Sequence, residues 1–142
     1  MKKSIIYSAV ILFFSFLLFS FIHKQKLFAP LTKEEISGER LWERITEEEN
    51  FEKYPFWPGL EGIQRGQSPH GEYHRSYVHP YLYEKLPIED GVVPEGGIIV
   101  KENLNQDMEV TYYTIMAKVK GYNPEAKDWF WAMISKEGKV LK

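Results

Sequence analysis

The sequence predicts an α+β fold: an antiparallel β-sheet with flanking N-terminal helices, preceded by one transmembrane helix. Three observations carry that expectation. An uncharged apolar run from Ile5 to Ile22 stands ahead of the rest, helix-start patterns fall between Thr32 and Tyr54, and from Tyr73 onward the residues alternate in the period of two that marks strands. Helical signals first and strand signals afterwards are the order of an α+β chain. The expected boundaries are 1–29 for a signal-anchor segment and 30–142 for one folded domain.

Lys2 and Lys3 precede the apolar run, whose polar interruptions are Tyr7, Ser8, Ser15 and Ser20. At about 1.5 Å per residue, a helix of that length spans about 27 Å, near the hydrocarbon thickness and beyond the core of a signal peptide. Cleavage needs small residues at the cut, and neither Leu27-Phe28-Ala29 before Pro30 nor Leu18-Phe19-Ser20 fits well. An uncleaved anchor is therefore expected over a removed signal peptide. The export-signal layout makes the membrane a partner and places the body on its periplasmic or extracellular side.

The body has apolar material for one core, since the chain is 44% hydrophobic and 15% aromatic. Its net charge is -2, with Lys and Arg interleaved among Glu, so it lacks the basic footprint of a nucleic-acid binder. With no cysteine, disulfides, Cys-ligated zinc, iron–sulfur clusters, thiol catalysis and haem attachment through C-x-x-C-H are all excluded. No phosphate-binding glycine loop, nucleophile–base spacing or metal-hydrolase motif is present.

Thr32-Lys33-Glu34-Glu35 has the form of a capping box and predicts a helix from about Lys33, with Ile36, Leu41, Trp42 and Ile45 inward. A second such pattern, Thr46 to Glu49, predicts a short helix or a continuation through Phe51 and Tyr54, ended by Pro55 and Pro58. The glycines and prolines from Gly59 to Pro69 read as a loop. From Gly71 to His79 a strand is expected, with Tyr73, Arg75, Tyr77 and His79 on one face and His74, Ser76 and Val78 on the other. Tyr81 to Leu86 suits a helical turn or two. Ile98 to Glu102, Val110 to Val119 and Asp128 to Ile134 are the next three strands, and Gly138 supplies a hairpin turn to Val140.

Five phrases stand in order: Trp57-Pro58-Gly59, Ser68-Pro69-His70-Gly71, Pro94-Glu95-Gly96 leading to Ile99-Val100-Lys101-Glu102, Met116 to Tyr122, and Asp128-Trp129-Phe130-Trp131-Ala132. Together, over about residues 33 to 142, they resemble the cytochrome P-460 family. The resemblance implies a periplasmic domain built on an antiparallel sheet with flanking helices. The family's cytochromes attach haem through a C-x-x-C-H beyond the last strand and act on hydroxylamine or nitric oxide at its iron. This chain lacks the motif, so the resemblance implies the fold more than the chemistry. It also makes Lys101 the counterpart of the lysine that links to the haem in catalytic members.

The functional expectation is an anchored, extracytoplasmic P-460-like domain without covalent haem, binding or accessory in role, beside respiratory membrane proteins or a soluble electron carrier. A noncovalent haem protein, oxidoreductase or nitric-oxide binder is the alternative. The cofactor-binding candidates are Lys101, His70, His74 and His79. His74 and His79 differ in strand parity, so at most one of them shares a pocket with the inner face of the sheet. Lys101 and Glu102 are neighbours on a strand and likewise cannot both line one pocket, here imagined among Tyr77, Tyr112 and Trp131. The run Trp129-Phe130-Trp131 reads as core packing.

Overall fold

The computed structural model describes residues 29–66 and 71–142. β-Branched and aromatic residues in alternation build the strands β1 (Gln64–Arg65), β2 (Tyr73–Val78), β3 (Ile98–Leu104), β4 (Val110–Lys118) and β5 (Trp129–Ser135). They form one antiparallel sheet in the order β1-β2-β3-β4-β5. Side chains alternate between its two faces, so the register decides what each face carries. Tyr77, Val100, Ile115 and Ala132 make one cross-strand row, and Ile98, Ala117 and Phe130 another; all seven are buried.

This inner face is covered by α1 (Gly38–Glu43) and the chain that follows it, which set Leu41, Ile45 and Phe51 onto the sheet. Each such side chain stabilises by roughly 1.5–3 kcal/mol through removal from water. Phe51 packs against Trp42, Tyr77 and Tyr113 with ring centroids 6.1, 5.6 and 5.8 Å away. A second short helix, α2 (Pro80–Tyr83), opens the segment that leads to β3 and buries Leu82.

The helical part is much smaller than the sequence predicts. The α+β class with flanking helices gives way to a sheet-dominated fold carrying two short α-helices, one π turn (Arg44–Glu48) and two 3-10 turns among the described residues. The reasons are local. Glu35 does reach back to the Thr32 amide (3.1 Å), but the Thr32 hydroxyl donates to the same carboxylate (2.9 Å) instead of accepting from an amide, and Glu35 and Ile36 close only a turn on the Thr32 carbonyl. The chain then caps again at extended Ser37, which accepts from the Arg40 amide. Thr46 bonds back to the Trp42 carbonyl, so the second box also fails as a cap, and left-handed Asn50 (φ 59) ends the run.

The expected transmembrane and signal-anchor helix is corrected as well. No helix among the described residues is long and apolar enough to cross a membrane. Residues 1–28, where that expectation falls, lie outside them. The strands agree with the reading to within two residues at their ends, except β1, which falls inside the expected loop.

The hairpin at Gly138 forms as expected, with φ at +84°. A methyl group added there would lie 2.8 Å from Trp42 Nε1. Gly138→Ala is expected to cost about 1–3 kcal/mol, read from the urea midpoint, because it forces a left-handed L-residue against an indole.

Candidate functional site

The sheet's second face carries the best-formed group of candidates. β3 turns Glu102 to the inner face and Lys101 to this outer one, as strand alternation requires. Register sets Ser76, Lys101, Thr114 and Met133 in one row, and His74, Asn103, Tyr112 and Ser135 in the next. A third row holds Val78, Ile99, Met116 and Trp131. The structure thus brings His74 and Lys101 together, diagonal neighbours on adjacent strands.

No carboxylate lies in these rows, and Lys101 makes no ion pair among the described residues. Lys101 is half-buried, and loss of water pushes its ammonium below the ordinary lysine range. His74 is also pushed down, by burial first and by the Lys101 charge second, which favours its neutral ring. Asn103 is fully buried, and its amide nitrogen donates to Thr114 Oγ1 at 3.2 Å. Asn103 Oδ1 and His74 Nδ1, directly across the β2–β3 ladder, are closed off from solvent and have no hydrogen-bond partner among the described residues. Buried polar atoms without partners are uncommon and costly.

Toward β5 the same face becomes aromatic and thioether-rich. Met116, Met133 and Trp129 are half-buried, and Trp131 is 50% exposed. Within the run Trp129-Phe130-Trp131, only Phe130 belongs to the core. The face therefore offers hydroxyl, imidazole and ammonium groups at one side and flat apolar surface at the other. That combination suits a ligand with an oxyanion on a planar apolar body.

Glu102 occupies different surroundings. It is 4% exposed on the inner face, with Arg75 Nε 2.5 Å away and the Tyr77 hydroxyl donating at 3.3 Å. Burial pushes Glu102 above the ordinary carboxylate range despite Arg75. Burial and the Glu102 charge together push Tyr77 to about 12. The imagined pocket is thereby split: Tyr77 shares a face with Glu102, while Tyr112 and Trp131 share the other with Lys101.

His79 is enclosed elsewhere. Its Nδ1 accepts from the Tyr81 amide (3.2 Å), capping α2, and its Nε2 lies 3.0 Å from Glu49 Oε2. Glu49 also meets Arg44 Nε at 2.6 Å and the Tyr54 hydroxyl, and Arg44 donates to the Ala29 carbonyl at 2.6 Å. With both ring nitrogens engaged, His79 serves the fold and is closed to an iron. The sequence gives little sign of this network, because Arg44, Glu49, Tyr54 and His79 follow no helix or strand spacing. His70, the remaining histidine candidate of the body, lies outside the described residues.

For haem, the group that the resemblance implies, the fit is partial. Lys101 suits a carboxylate, but the Nδ1 of His74 is shielded, leaving Nε2 as the nitrogen for a ligand. No protein-family model matches the chain, and no curated protein matches it in sequence.

Proposed function

We propose that this is a binding domain, P-460-like and without covalent haem, that holds a flat apolar carboxylate against the outer face of its sheet. The anion meets Lys101, with Ser76 and Thr114 beside it and His74 on the diagonal, and the apolar body lies over Met116, Met133 and Trp131. The observation that carries this reading is the half-buried Lys101, which has no ion pair among the described residues and sits in rows that carry no carboxylate. An ammonium that has lost water and gained no counter-ion is the group most relieved by an incoming anion.

Noncovalent haem is a member of this ligand class and forms the second reading, favoured by the neutral ring of His74. When bound, it would supply an iron centre. The residues of this chain would hold its carboxylates at Lys101 and present His74 to the metal.

The test is titration of the full chain with metal-free protoporphyrin IX and with haemin, followed by tryptophan quenching and by the Soret band. Comparable binding of both supports recognition of the carboxylate and the flat body. Lys101→Glu is expected to weaken protoporphyrin binding by about tenfold or more, equal to about 1.4 kcal/mol or more. Unchanged affinity in that variant, or no binding by the unaltered chain, would sink the proposal. Binding of haemin alone, lost in His74→Ala, would favour the second reading.

A further inference from the structure

The sheet is flanked at β2 by a short extended stretch in which Phe56 bridges Tyr77 and the Trp57 amide donates to the Ser76 carbonyl at 2.9 Å. These bonds fix Trp57 at the sheet border. Past α2, the amides of Lys85 and Leu86 bond back to the carbonyls of Leu82 and Tyr83, at 3.0 and 3.1 Å. That turn sets Tyr83, Leu86, Pro87 and Ile88 opposite Trp57 and Pro58, enclosing a groove of about 540 Å³. Its walls are almost wholly aromatic, proline and aliphatic, and Tyr83 is 42% exposed.

A second depression of about 530 Å³ adjoins it, with Pro87 and Ile88 as the shared wall. Its lining includes Glu84, Glu89 and Asp90 against the single cation Lys85. Lys85 is drawn aside, 5.2 Å from the centre of the Tyr81 ring. Among the described residues none of the three carboxylates has an ion-pair partner; Asp90 accepts only from the Val92 amide. An elongated surface results, apolar at one end and negative at the other.

We propose that this surface docks an extended proline-rich segment of a partner protein, flanked by arginine or lysine. Proline rings pack well on aromatic walls, and a polyproline helix is extended before binding, so little chain entropy is lost. The charges decide the flank and the orientation: a cation lies in the acidic depression, and an acidic segment is repelled there. The groove is lined by none of the residues assigned above to the carboxylate ligand, so the two activities are separable.

The experiment is fluorescence anisotropy on the full chain with a labelled synthetic peptide of alternating proline and leucine ending in two arginines. A control peptide carries glutamates in place of the arginines, and another replaces the prolines with glycine. The arginine–proline peptide is expected to bind at least about tenfold more tightly than either control, with affinity falling as salt rises. Tyr83→Ala and Asp90→Lys, both at exposed positions, are each expected to weaken it about fivefold or more with an unchanged melting temperature. Lys101→Glu is expected to leave it unaltered, which separates this proposal from the carboxylate site. Equal binding of the three peptides, no binding of any, or full affinity in both groove variants would overturn it.

Discussion

Glu49→Ala is expected to cost about 3–5 kcal/mol at neutral pH, measured as the shift in urea-unfolding free energy. The Glu49 side chain is only 7% exposed, and it receives Arg44, Tyr54 and His79 at once. Removing it strands the buried Arg44 guanidinium beside groups arranged for a carboxylate. Burial alone would push the Glu49 carboxyl up, yet hydrogen bonds from His79, Tyr54 and Arg44, with the Arg44 charge, hold it below its ordinary value of 4.5.

The pH dependence follows from that direction. A carboxyl with a folded pKa below its unfolded one contributes stability that is complete above about 4.5 and is lost as pH falls through the folded value. The unaltered chain should therefore lose stability on acidification below pH 4.5 more steeply than Glu49→Ala does. Parallel curves for the two proteins would show that the carboxylate is not held in this way.

Phe51→Ala has an effect of similar size, about 3–5 kcal/mol, for an unrelated reason. Phe51 is 4% exposed and lies between the cover and the sheet, touching Trp42, Tyr77 and Tyr113 edge-on or tilted. Truncation opens a void that three large rings can close only by leaving their rotamers. Phe51→Leu refills most of that volume and should recover more than half the loss in the same urea titration. A Phe51→Ala variant within 1 kcal/mol of the unaltered chain would mean that the cover reseats freely.

How much of this was legible in the sequence varies with the range of the interaction. Strands β2 to β5 were readable because period-two alternation is enforced by the sheet at every residue. Parity also placed Lys101 and Glu102 on opposite faces, whereas His79, expected in the strand of His74, stands past the end of β2 as the cap of α2. The helices were overread because a capping box is defined by residue types, whereas a cap needs the Thr32 hydroxyl to accept an amide. In the structure it donates to Glu35 instead. β1 was hidden because two residues among glycines carry no periodicity. The groove at Trp57 and the Glu49 network unite residues whose spacing reflects tertiary folding alone, and no local pattern announces them.

Both borders of the sheet are partly occupied. On one side the Phe56–Trp57 stretch and β1 take up the hydrogen-bonding groups of β2. On the other, the amides of Ser135 and Met133 bond to the carbonyls of Lys139 and Lys142, and Val140 bridges Ile134. Strand-by-strand accretion, the common route from a β-rich monomer to a fibril, thus finds less bare ladder on which to start. Where the borders are covered, encounters with other molecules fall to side chains on the faces of the sheet, where shape and charge discriminate, and not to main-chain groups that any extended polypeptide can satisfy.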